Sequence, residues 1–437
     1  MLAKITGAIL LVAVIAVVTW LPSYGRTAGD DGREQVDVWS WNIAAEALDE
    51  IAPAFEAEHP DINVDVEKNG TMLNSRLLLS LVAGKGGPDV AQLQERDAIR
   101  FSSTGRLVDL TGWAAKYADD FPPSFWQSAT YDGQVYAVPW DIGPVAVYYK
   151  RPLFERYGID PDAIETWDDF IGAGEQLWRD SNGATALMPL LATEAGDLFQ
   201  ILMQQNGGGV YDEQGRIILH QPANVEALAI VGRMLRSDAT RPGSVYGSEF
   251  FASLGTEASA SFVGAAWQSQ NVKDYAPAEA FGEWGVFRLP AFRPGGLRNS
   301  NFGGSVLVIP EGATEPEAAG MFIERALCTV DGQIEQFKKT GIFPAFLPAF
   351  DDPYFDEPDP FYGGQKVNEL FARNFEEVPT LYRTTDWTEA QRLIGQWMIR
   401  YAEQRPDEAT FLRELANTLS RETGRELADV SAMGGGA

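Results

Sequence analysis

The chain has little cysteine, little histidine and few positive charges. It contains one cysteine, Cys328, and two histidines, His59 and His220. A single thiol cannot form a disulfide within the chain, and in its apolar helical stretch we expect it to be buried. Two histidines far apart in sequence argue against a histidine-based metal site or catalytic triad. We therefore expect neither a metal nor a cofactor.

The shortage of positive charge excludes further classes of partner. The chain has 62 Asp and Glu against 34 Lys and Arg, which gives a formal net charge of -28. Nucleic-acid binding requires clustered Lys and Arg, so we expect no nucleic acid as a partner. The same charge argues against docking on anionic lipid. The acids are spread along the chain, which is typical of a well-hydrated surface.

The N-terminal segment carries a signal for export. Lys4 precedes an apolar run over residues 5–21, and Pro22 and small residues follow. This pattern predicts a secretory signal peptide over residues 1–25, although the run is also long enough for an uncleaved membrane anchor. No cysteine lies in this segment, so a lipid anchor is excluded. We expect the protein in the periplasm or on the outer face of the cytoplasmic membrane.

The rest of the chain alternates between strand and helix patterns. A Gly- and Asp-containing linker over residues 26–35 precedes a β-α-β-α-β pattern that extends to about residue 101. Such a run predicts a parallel sheet with right-handed crossovers. Two further strands are expected on either side of Gly143-Pro144, because this pair is typical of a bend.

Several motifs occur in a fixed order between residues 36 and 345. They are Val36-Asp-Val-Trp-Ser-Trp, Phe55-Glu-Ala-Glu-His-Pro-Asp-Ile-Asn-Val, Leu81-Val-Ala-Gly-Lys-Gly-Gly-Pro-Asp-Val, Gly105-Arg-Leu-Val-Asp-Leu-Thr, Asp132-Gly-Gln-Val-Tyr-Ala-Val-Pro-Trp-Asp, Tyr148-Tyr-Lys-Arg-Pro-Leu-Phe, Thr166-Trp-Asp-Asp-Phe, Ala260-Ser-Phe-Val-Gly-Ala-Ala-Trp, Phe302-Gly-Gly-Ser-Val-Leu-Val-Ile-Pro and Gly341-Ile-Phe-Pro. In this order they resemble the bacterial extracellular solute-binding proteins of ABC-type importers. The resemblance is to the sugar-binding, maltose-binding-protein-like class, family 1.

The resemblance implies an α/β protein with the two-lobed periplasmic-binding-protein fold of type II. Parallel-sheet lobes would be joined by hinge crossovers, and the ligand would lie in the cleft between the lobes. We place the crossings near residues 141–145, 297–302 and 343–348. The expected division is residues 36–142 plus 300–345 for the first lobe, 143–299 plus 346–430 for the second, and 431–437 for a flexible tail.

A sugar offers apolar faces to aromatic rings and hydroxyl groups to polar side chains. Ligand-facing residues in open α/β sheets lie beyond the carboxyl ends of strands. These two rules, together with the C-terminal part of the sequence, predict twelve ligand contacts. They are Trp41, Asn42, Gln94, Glu95, Trp140, Asp141, Trp267, Gln268, Gly303, Gly304, Phe343 and Trp387. Core packing is the alternative for the tryptophans and for Phe343. A tight bend is the alternative for the two glycines.

The resemblance implies the substrate-binding component of an ABC importer, with a carbohydrate ligand and the permease subunits as partners. We expect a monomer, and contact with the membrane only through an uncleaved N-terminal segment. No Gly-x-Ser-x-Gly motif occurs, and no catalytic residue is assigned. The alternatives are an exported glycoside hydrolase, which would need two carboxylates across a sugar site, and a membrane-anchored solute sensor.

Overall fold

The computed structural model describes residues 32–375, 378–431 and 433. The predicted signal peptide or anchor at residues 1–25 lies outside the described residues. Most of the predicted linker at 26–35 and of the predicted tail at 431–437 also lies outside them. The first strand begins at Glu34, within the expected linker.

Eleven strands are numbered in chain order. They are β1 (Glu34–Ser40), β2 (Ile62–Lys68), β3 (Val90–Gln94), β4 (Thr130–Tyr131), β5 (Gln134–Val135), β6 (Ala137–Lys150), β7 (Met188–Pro189), β8 (Thr240–Arg241), β9 (Ser261–Ala265), β10 (Trp284–Arg288) and β11 (Asn301–Val308).

The α-helices are numbered in the same way. They are α1 (Asn42–Glu58), α2 (Leu73–Ala83), α3 (Glu95–Ser102), α4 (Thr111–Ala114), α5 (Pro123–Ala129), α6 (Arg151–Arg156), α7 (Trp167–Asp180), α8 (Ala195–Gln205), α9 (Pro222–Arg236), α10 (Gly247–Ser253), α11 (Gln268–Tyr275), α12 (Pro316–Leu327), α13 (Val330–Thr340), α14 (Val367–Phe375), α15 (Trp387–Gln404) and α16 (Glu408–Thr423).

Local sequence explains several of these bounds. The apolar face of α1 carries Leu48, Ile51 and Phe55, which are buried against the sheet. Helix α7 begins after Thr166 because this residue forms a capping box with Asp169. These patterns depend on neighbours in sequence, and the structure confirms the helices that they predict.

Seven strands form one mixed sheet in the order β10-β6-β11-β3-β1-β2, with β9 also paired to β6. Strand β1 is parallel to β2 and β3, whereas β11 is antiparallel to β3 and β6. Strands β9 and β10 are antiparallel to the second half of β6. The expectation of parallel sheets in both lobes is therefore corrected. Within the large sheet, parallel pairing occurs among β1, β2 and β3, where the sequence has the β-α-β-α-β pattern, since parallel neighbours need such crossovers. The short strands β7 and β8 form a separate parallel pair.

Residues 137–150 form one long strand rather than the two expected strands around Gly143-Pro144. The backbone N–H of Gly143 donates to Asn301 Oδ1 at 2.8 Å. A Cβ atom on Gly143 would lie 2.1 Å from the carbonyl oxygen of Phe302, so only glycine allows this approach. The Gly-Pro pair marks a close crossing of strands and does not end β6.

The three expected crossing segments lie side by side. The N–H of Ile142 donates to the carbonyl of Phe343, and the N–H of Ala345 donates to the carbonyl of Trp140, both at 3.0 Å. The N–H of Val145 donates to the carbonyl of Ser300 at 3.0 Å. The three segments are thus joined by backbone hydrogen bonds at one position in the molecule, and this arrangement supports a hinge there. The lobe boundaries themselves stay predictions.

Two large apolar clusters pack on opposite faces of the second half of β6. Ala146 and Tyr148 belong to the first cluster, together with α1, α12 and α14. Val145 and Val147 belong to the second cluster, together with α7, α8, α9, α15 and α16. Cys328 is buried in the first cluster, and burial raises the pKa of its thiol. No helix within the described part of the chain is long and apolar enough to cross a membrane.

Candidate ligand-binding site

A cavity of about 470 Å³ opens beside the crossing segments. Its walls come from both expected lobes, and polar side chains and aromatic rings alternate along them. The lining residues are Trp41, Gln94, Glu95, Arg96, Asp141, Asp197, Gln200, Gln204, Tyr246, Trp267, Asn301, Phe302, Gly303, Gly304, Ser305, Leu381, Arg383 and Gln391.

The structure brings many of the predicted site residues together at this cavity. Those that line it are Trp41, Gln94, Glu95, Asp141, Trp267, Gly303 and Gly304. Trp41, Gln94 and Glu95 directly follow β1 or end β3 and begin α3, as the rule for strand ends predicts. Their contact with a ligand is untested and stays a prediction.

Two aromatic rings on one side of the cavity are nearly parallel. The rings of Tyr246 and Trp267 have centroids 6.4 Å apart and planes inclined by 15°. The indole Nε1 of Trp267 donates to the carbonyl of Phe302 at 3.2 Å, which fixes the ring against β11. The phenol of Tyr246 donates to Asp197 Oδ2 at 3.0 Å. Both rings are therefore held in place by hydrogen bonds within the protein.

A buried ion pair joins α3 to the segment before α15. Arg383 Nε donates to Glu95 Oε1 at 2.9 Å, and its NH2 group lies 2.7 Å from Glu95 Oε2. Ser128 Oγ also donates to Glu95 Oε1. The side chains of Arg383 and Glu95 are only 12% and 4% exposed. Glu95 therefore accepts hydrogen bonds from two residues of the protein, Arg383 and Ser128.

The neighbouring Arg96 is half-buried in the cavity wall. Burial lowers the pKa of its guanidinium, and the adjacent Asp97 acts in the opposite direction. Guanidinium carries five N–H donors, so Arg96 brings hydrogen-bond donors to a cavity that also contains carboxylates.

Asp141 lies on β6 where the strand passes the cavity. Its carboxylate accepts hydrogen bonds from the hydroxyl and the backbone N–H of Ser305. Burial raises the pKa of Asp141 to about 6, and these hydrogen bonds act in the opposite direction. Burial also raises the pKa of Asp197, while the hydrogen bond from Tyr246 lowers it. Burial therefore raises the pKa of two of the carboxyl groups that line the cavity, Asp141 and Asp197.

Gly303 and Gly304 form an irregularity in β11 at the cavity wall. Their φ angles are +95° and +124°, which side chains other than glycine rarely adopt. A Cβ atom on Gly304 would lie 2.5 Å from Phe125 Cε1 and 2.9 Å from the carbonyl oxygen of Asp141. The bend given as the alternative for these glycines is present, and their contact with a ligand stays a prediction.

Four other predicted site residues lie in the interior. Trp140 is fully buried, and its Nε1 donates to Gln336 Oε1 at 2.9 Å. It points away from the cavity because its neighbour Asp141 points into it, and side chains alternate along a strand. Phe343 is 1% exposed and packs edge-on against Phe337.

Trp387 and Gln268 are buried for different reasons. Trp387 is 1% exposed, and the guanidinium of Arg383 lies 4.5 Å from its ring centroid. Gln268 accepts from the N–H of Ala265 at 3.1 Å and donates to the carbonyl of Val245 at 3.0 Å, which uses its side chain within the protein. Asn42 is exposed, has a φ of +50° at the start of α1, and does not line the cavity.

Sequence reasoning missed several lining residues. Asp197, Gln200 and Gln204 form a polar stripe on α8, whose other residues are mostly apolar and buried. Their spacing of three and four residues was a signal that could have identified them. Tyr246 and Arg383 lie in irregular segments whose position depends on tertiary contacts, and the sequence offered no comparable signal there.

Rings for apolar faces, carboxylates as acceptors and guanidinium or amide groups as donors suit a ligand that is rich in hydroxyl groups. Within the described residues, no group of three or more His, Cys, Asp or Glu side chains has the arrangement of a metal site.

The fold and the cavity define a two-lobed solute-binding protein. Residues 40–326 match the family described as bacterial extracellular solute-binding protein, and the chain belongs to this family. The arabinooligosaccharide-binding protein of Bacillus subtilis (strain 168) is 24% identical, over 85% of this chain and 88% of its own length. The lactose-binding protein of Rhizobium radiobacter is 27% identical, over 79% and 83% of the two chains.

A solved structure extends the comparison to three dimensions. It is the ABC transporter associated binding protein from B. animalis subsp. lactis Bl-04 in complex with β-1,6-galactobiose. The match has a TM-score of 0.74 and 27% sequence identity, and it covers 91% of this chain and 100% of that one. The expected two-lobed, type II periplasmic-binding-protein fold is confirmed by such neighbours.

Proposed function

We propose that the chain is the exported substrate-binding component of an ABC importer. It captures a sugar or oligosaccharide in the cavity and delivers it to the membrane permease subunits, without catalysing a reaction on it. Membership of the solute-binding family supports this proposal, and so do relatives named for binding arabinooligosaccharides and lactose.

The observation that carries the proposal is the composition of the cavity wall. Four lining residues supply aromatic rings, and other lining residues supply amides, carboxylates and guanidinium groups. The rings belong to Trp41, Tyr246, Trp267 and Phe302. A pyranose needs this combination, because its C–H faces pack on rings and its hydroxyls both donate and accept. A binding site for an apolar ligand would not place so many ionisable groups around one cavity.

The proposed lobes are residues 36–142 plus 300–345 and residues 143–299 plus 346–430. Trp41 and Glu95 then lie on the first lobe, whereas Tyr246, Trp267 and Arg383 lie on the second. A ligand in the cavity would contact both lobes, so its binding favours the closed arrangement. A monomer suffices for this action.

The test is isothermal titration calorimetry of residues 32–437 with lactose, β-1,6-galactobiose and arabinooligosaccharides, followed by chromatography of each sugar after incubation. We expect at least one of these sugars to bind with a Kd in the micromolar range or lower, and we expect the sugar to be recovered intact. Turnover would favour the glycoside hydrolase instead, and the absence of binding to any carbohydrate in a wider panel would contradict the proposal.

A matched pair of variants separates the cavity from the surface. Trp267→Ala should weaken the binding, because it removes a ring from the wall. Tyr275→Ala should not, because Tyr275 is exposed and lies outside the lining of the cavity.

A further inference from the structure

The loop before α10 brings Tyr246 to the cavity, and few of its own residues hold it there. Residues 242–249 are exposed or only partly buried, and Val245 packs against the first apolar cluster. The hydrogen bonds that fix the loop come from three side chains distant in sequence: Glu194 and Gln268 bind the loop around Val245, and Asp197 accepts from the phenol of Tyr246.

Glu194 precedes α8 and binds the loop through both carboxylate oxygens. Its Oε1 accepts from Ser244 Oγ at 2.5 Å, and its Oε2 accepts from the N–H of Val245 at 3.1 Å. The N–H of Tyr246 in turn donates to Ser244 Oγ at 2.9 Å. Hydrogen bonds to carboxylates are stronger than those between neutral groups, so Glu194 is the main attachment of the loop's backbone, while Asp197 holds the phenol of Tyr246.

Gln268 holds the same loop from the opposite side. It follows Trp267, is 2% exposed, and links the carbonyl of Val245 to the N–H of Ala265 at the end of β9. One side chain therefore ties the loop that carries Tyr246 to the strand that leads into Trp267. This connection explains why the two rings are nearly parallel although they lie on different segments.

We propose that Glu194 and Gln268 are positioning residues that hold Tyr246 beside Trp267, and that they set the affinity for a saccharide without contacting it. Neither residue lines the cavity. The effect on affinity rests on the proposed function, whereas the effect on the two rings does not.

The first test is a double-mutant cycle measured by calorimetry with lactose, β-1,6-galactobiose and arabinotriose. Tyr246→Leu removes the ring and should raise the Kd of the best-binding sugar about tenfold. Glu194→Ala should raise it by a similar factor, and the double variant by no more than Tyr246→Leu alone, because Glu194 acts through Tyr246. Independent losses that multiply in the double variant would overturn the proposal.

Glu194→Gln is a conservative variant that distinguishes the loss of hydrogen bonds from misfolding. The amide keeps one acceptor oxygen for the loop, so its Kd should lie between those of the native protein and Glu194→Ala. Glu249→Ala is the matched control, since Glu249 is an exposed acid on α10, and it should leave the Kd unchanged. An affinity of Glu194→Gln as low as that of a folded Glu194→Ala would count against hydrogen bonding as the cause.

The second test needs no ligand. In protein labelled with 5-fluorotryptophan, the ¹⁹F resonance of Trp267 is assigned by its loss in Trp267→Phe. The resonance should move in Glu194→Ala and in Gln268→Leu in the direction seen in Tyr246→Leu, because the ring current of Tyr246 acts on Trp267. A resonance that stays at its native position in a folded Glu194→Ala variant would refute the positioning role. If no sugar binds the native protein, the proposed function fails while this measurement still decides the inference.

Discussion

At the scale of single residues, one step along β6 separates the buried core from the cavity wall. Asp141 lines the cavity, whereas the preceding Trp140 is fully buried and donates to Gln336. Trp267 shows the opposite case, because its ring lines the cavity beside Tyr246 and its Nε1 donates to the backbone of β11. Two tryptophans that look alike in the sequence thus have different surroundings.

This difference leads to the first prediction. Trp140→Ala should lower the free energy of unfolding by about 3 to 5 kcal/mol, because it leaves a cavity and an unpaired Gln336. Trp267→Ala should change stability by less than about 1 kcal/mol and weaken sugar binding about tenfold. Urea denaturation and calorimetry measure the two effects. A Trp140→Ala variant with native stability and reduced affinity would show that Trp140 does contact the ligand.

Asp141 gives a prediction about pH. Its pKa is raised by burial from an ordinary value near 3.8 to about 6. Between these values the folded protein holds a proton that the unfolded chain releases, so stability falls as pH rises through this window. The loss should be at most about 3 kcal/mol and should be complete above pH about 6.

Asp141→Asn is the variant that tests this dependence. Asparagine does not ionise and can still accept a hydrogen bond from Ser305. The difference in unfolding free energy between the variant and the native protein should therefore grow in favour of the variant from pH 4 to pH 6. Denaturation curves at several pH values measure it, and parallel pH profiles for the two proteins would contradict the raised pKa.

At the scale of elements, the sequence predicts those features that depend on close neighbours. The β-α-β-α-β pattern predicted up to about residue 101 is present as β1, α1, β2, α2 and β3, because apolar periodicity is local. Trp41 and Gln94 were placed at the cavity by the rule that ligands lie beyond strand ends, whereas Asp141 lines it from the middle of β6.

The features that were missed depend on distant contacts. Tyr246 reaches the cavity because Glu194, about fifty residues earlier, holds its loop. Arg383 is fixed by Glu95, which lies far away in sequence. The antiparallel pairing of β9 and β10 with β6 likewise follows from tertiary structure, since their short apolar patterns do not determine direction.

The irregularity in β11 gives the prediction for this scale. Gly304→Ala should lower the free energy of unfolding by about 2 to 4 kcal/mol, because it combines a φ of +124° with a contact of 2.5 Å to Phe125. Gly172→Ala is the control, since it lies within α7 and its added Cβ would meet nothing within 4 Å. It should stabilise the protein by about 0.5 to 1 kcal/mol. Equal thermal melting points for the two variants would contradict the strained geometry.

At the scale of the whole molecule, polar contacts between α3 and the chain around α15 join the two proposed lobes beside the cavity. Glu95 and Arg383 form the buried ion pair, and Thr388 Oγ1 donates to Asp97 Oδ1 at 3.1 Å beside it. Opening of the lobes would expose Glu95 and Arg383 to water. In the closed arrangement the attraction between the two charges offsets part of the cost of burying them, whereas loss of either partner would leave the other charge buried and unpaired.

The last prediction concerns Arg383→Met. The variant leaves Glu95 buried without its counterion, which disfavours the closed arrangement by more than the ion pair itself contributes. The ligand-free variant should show a larger radius of gyration by small-angle X-ray scattering, and sugar binding should weaken at least about tenfold. Adding Glu95→Gln should restore the smaller radius of gyration, because the unpaired charge is removed.

Arg106→Met is the control, since Arg106 pairs with Glu311 at 3.1 Å on the surface of a single proposed lobe. Scattering is measured without ligand, so it separates the effect of the ion pair on the lobes from a direct contact between Arg383 and the sugar. An unchanged radius of gyration in Arg383→Met would show that the ion pair does not hold the lobes together.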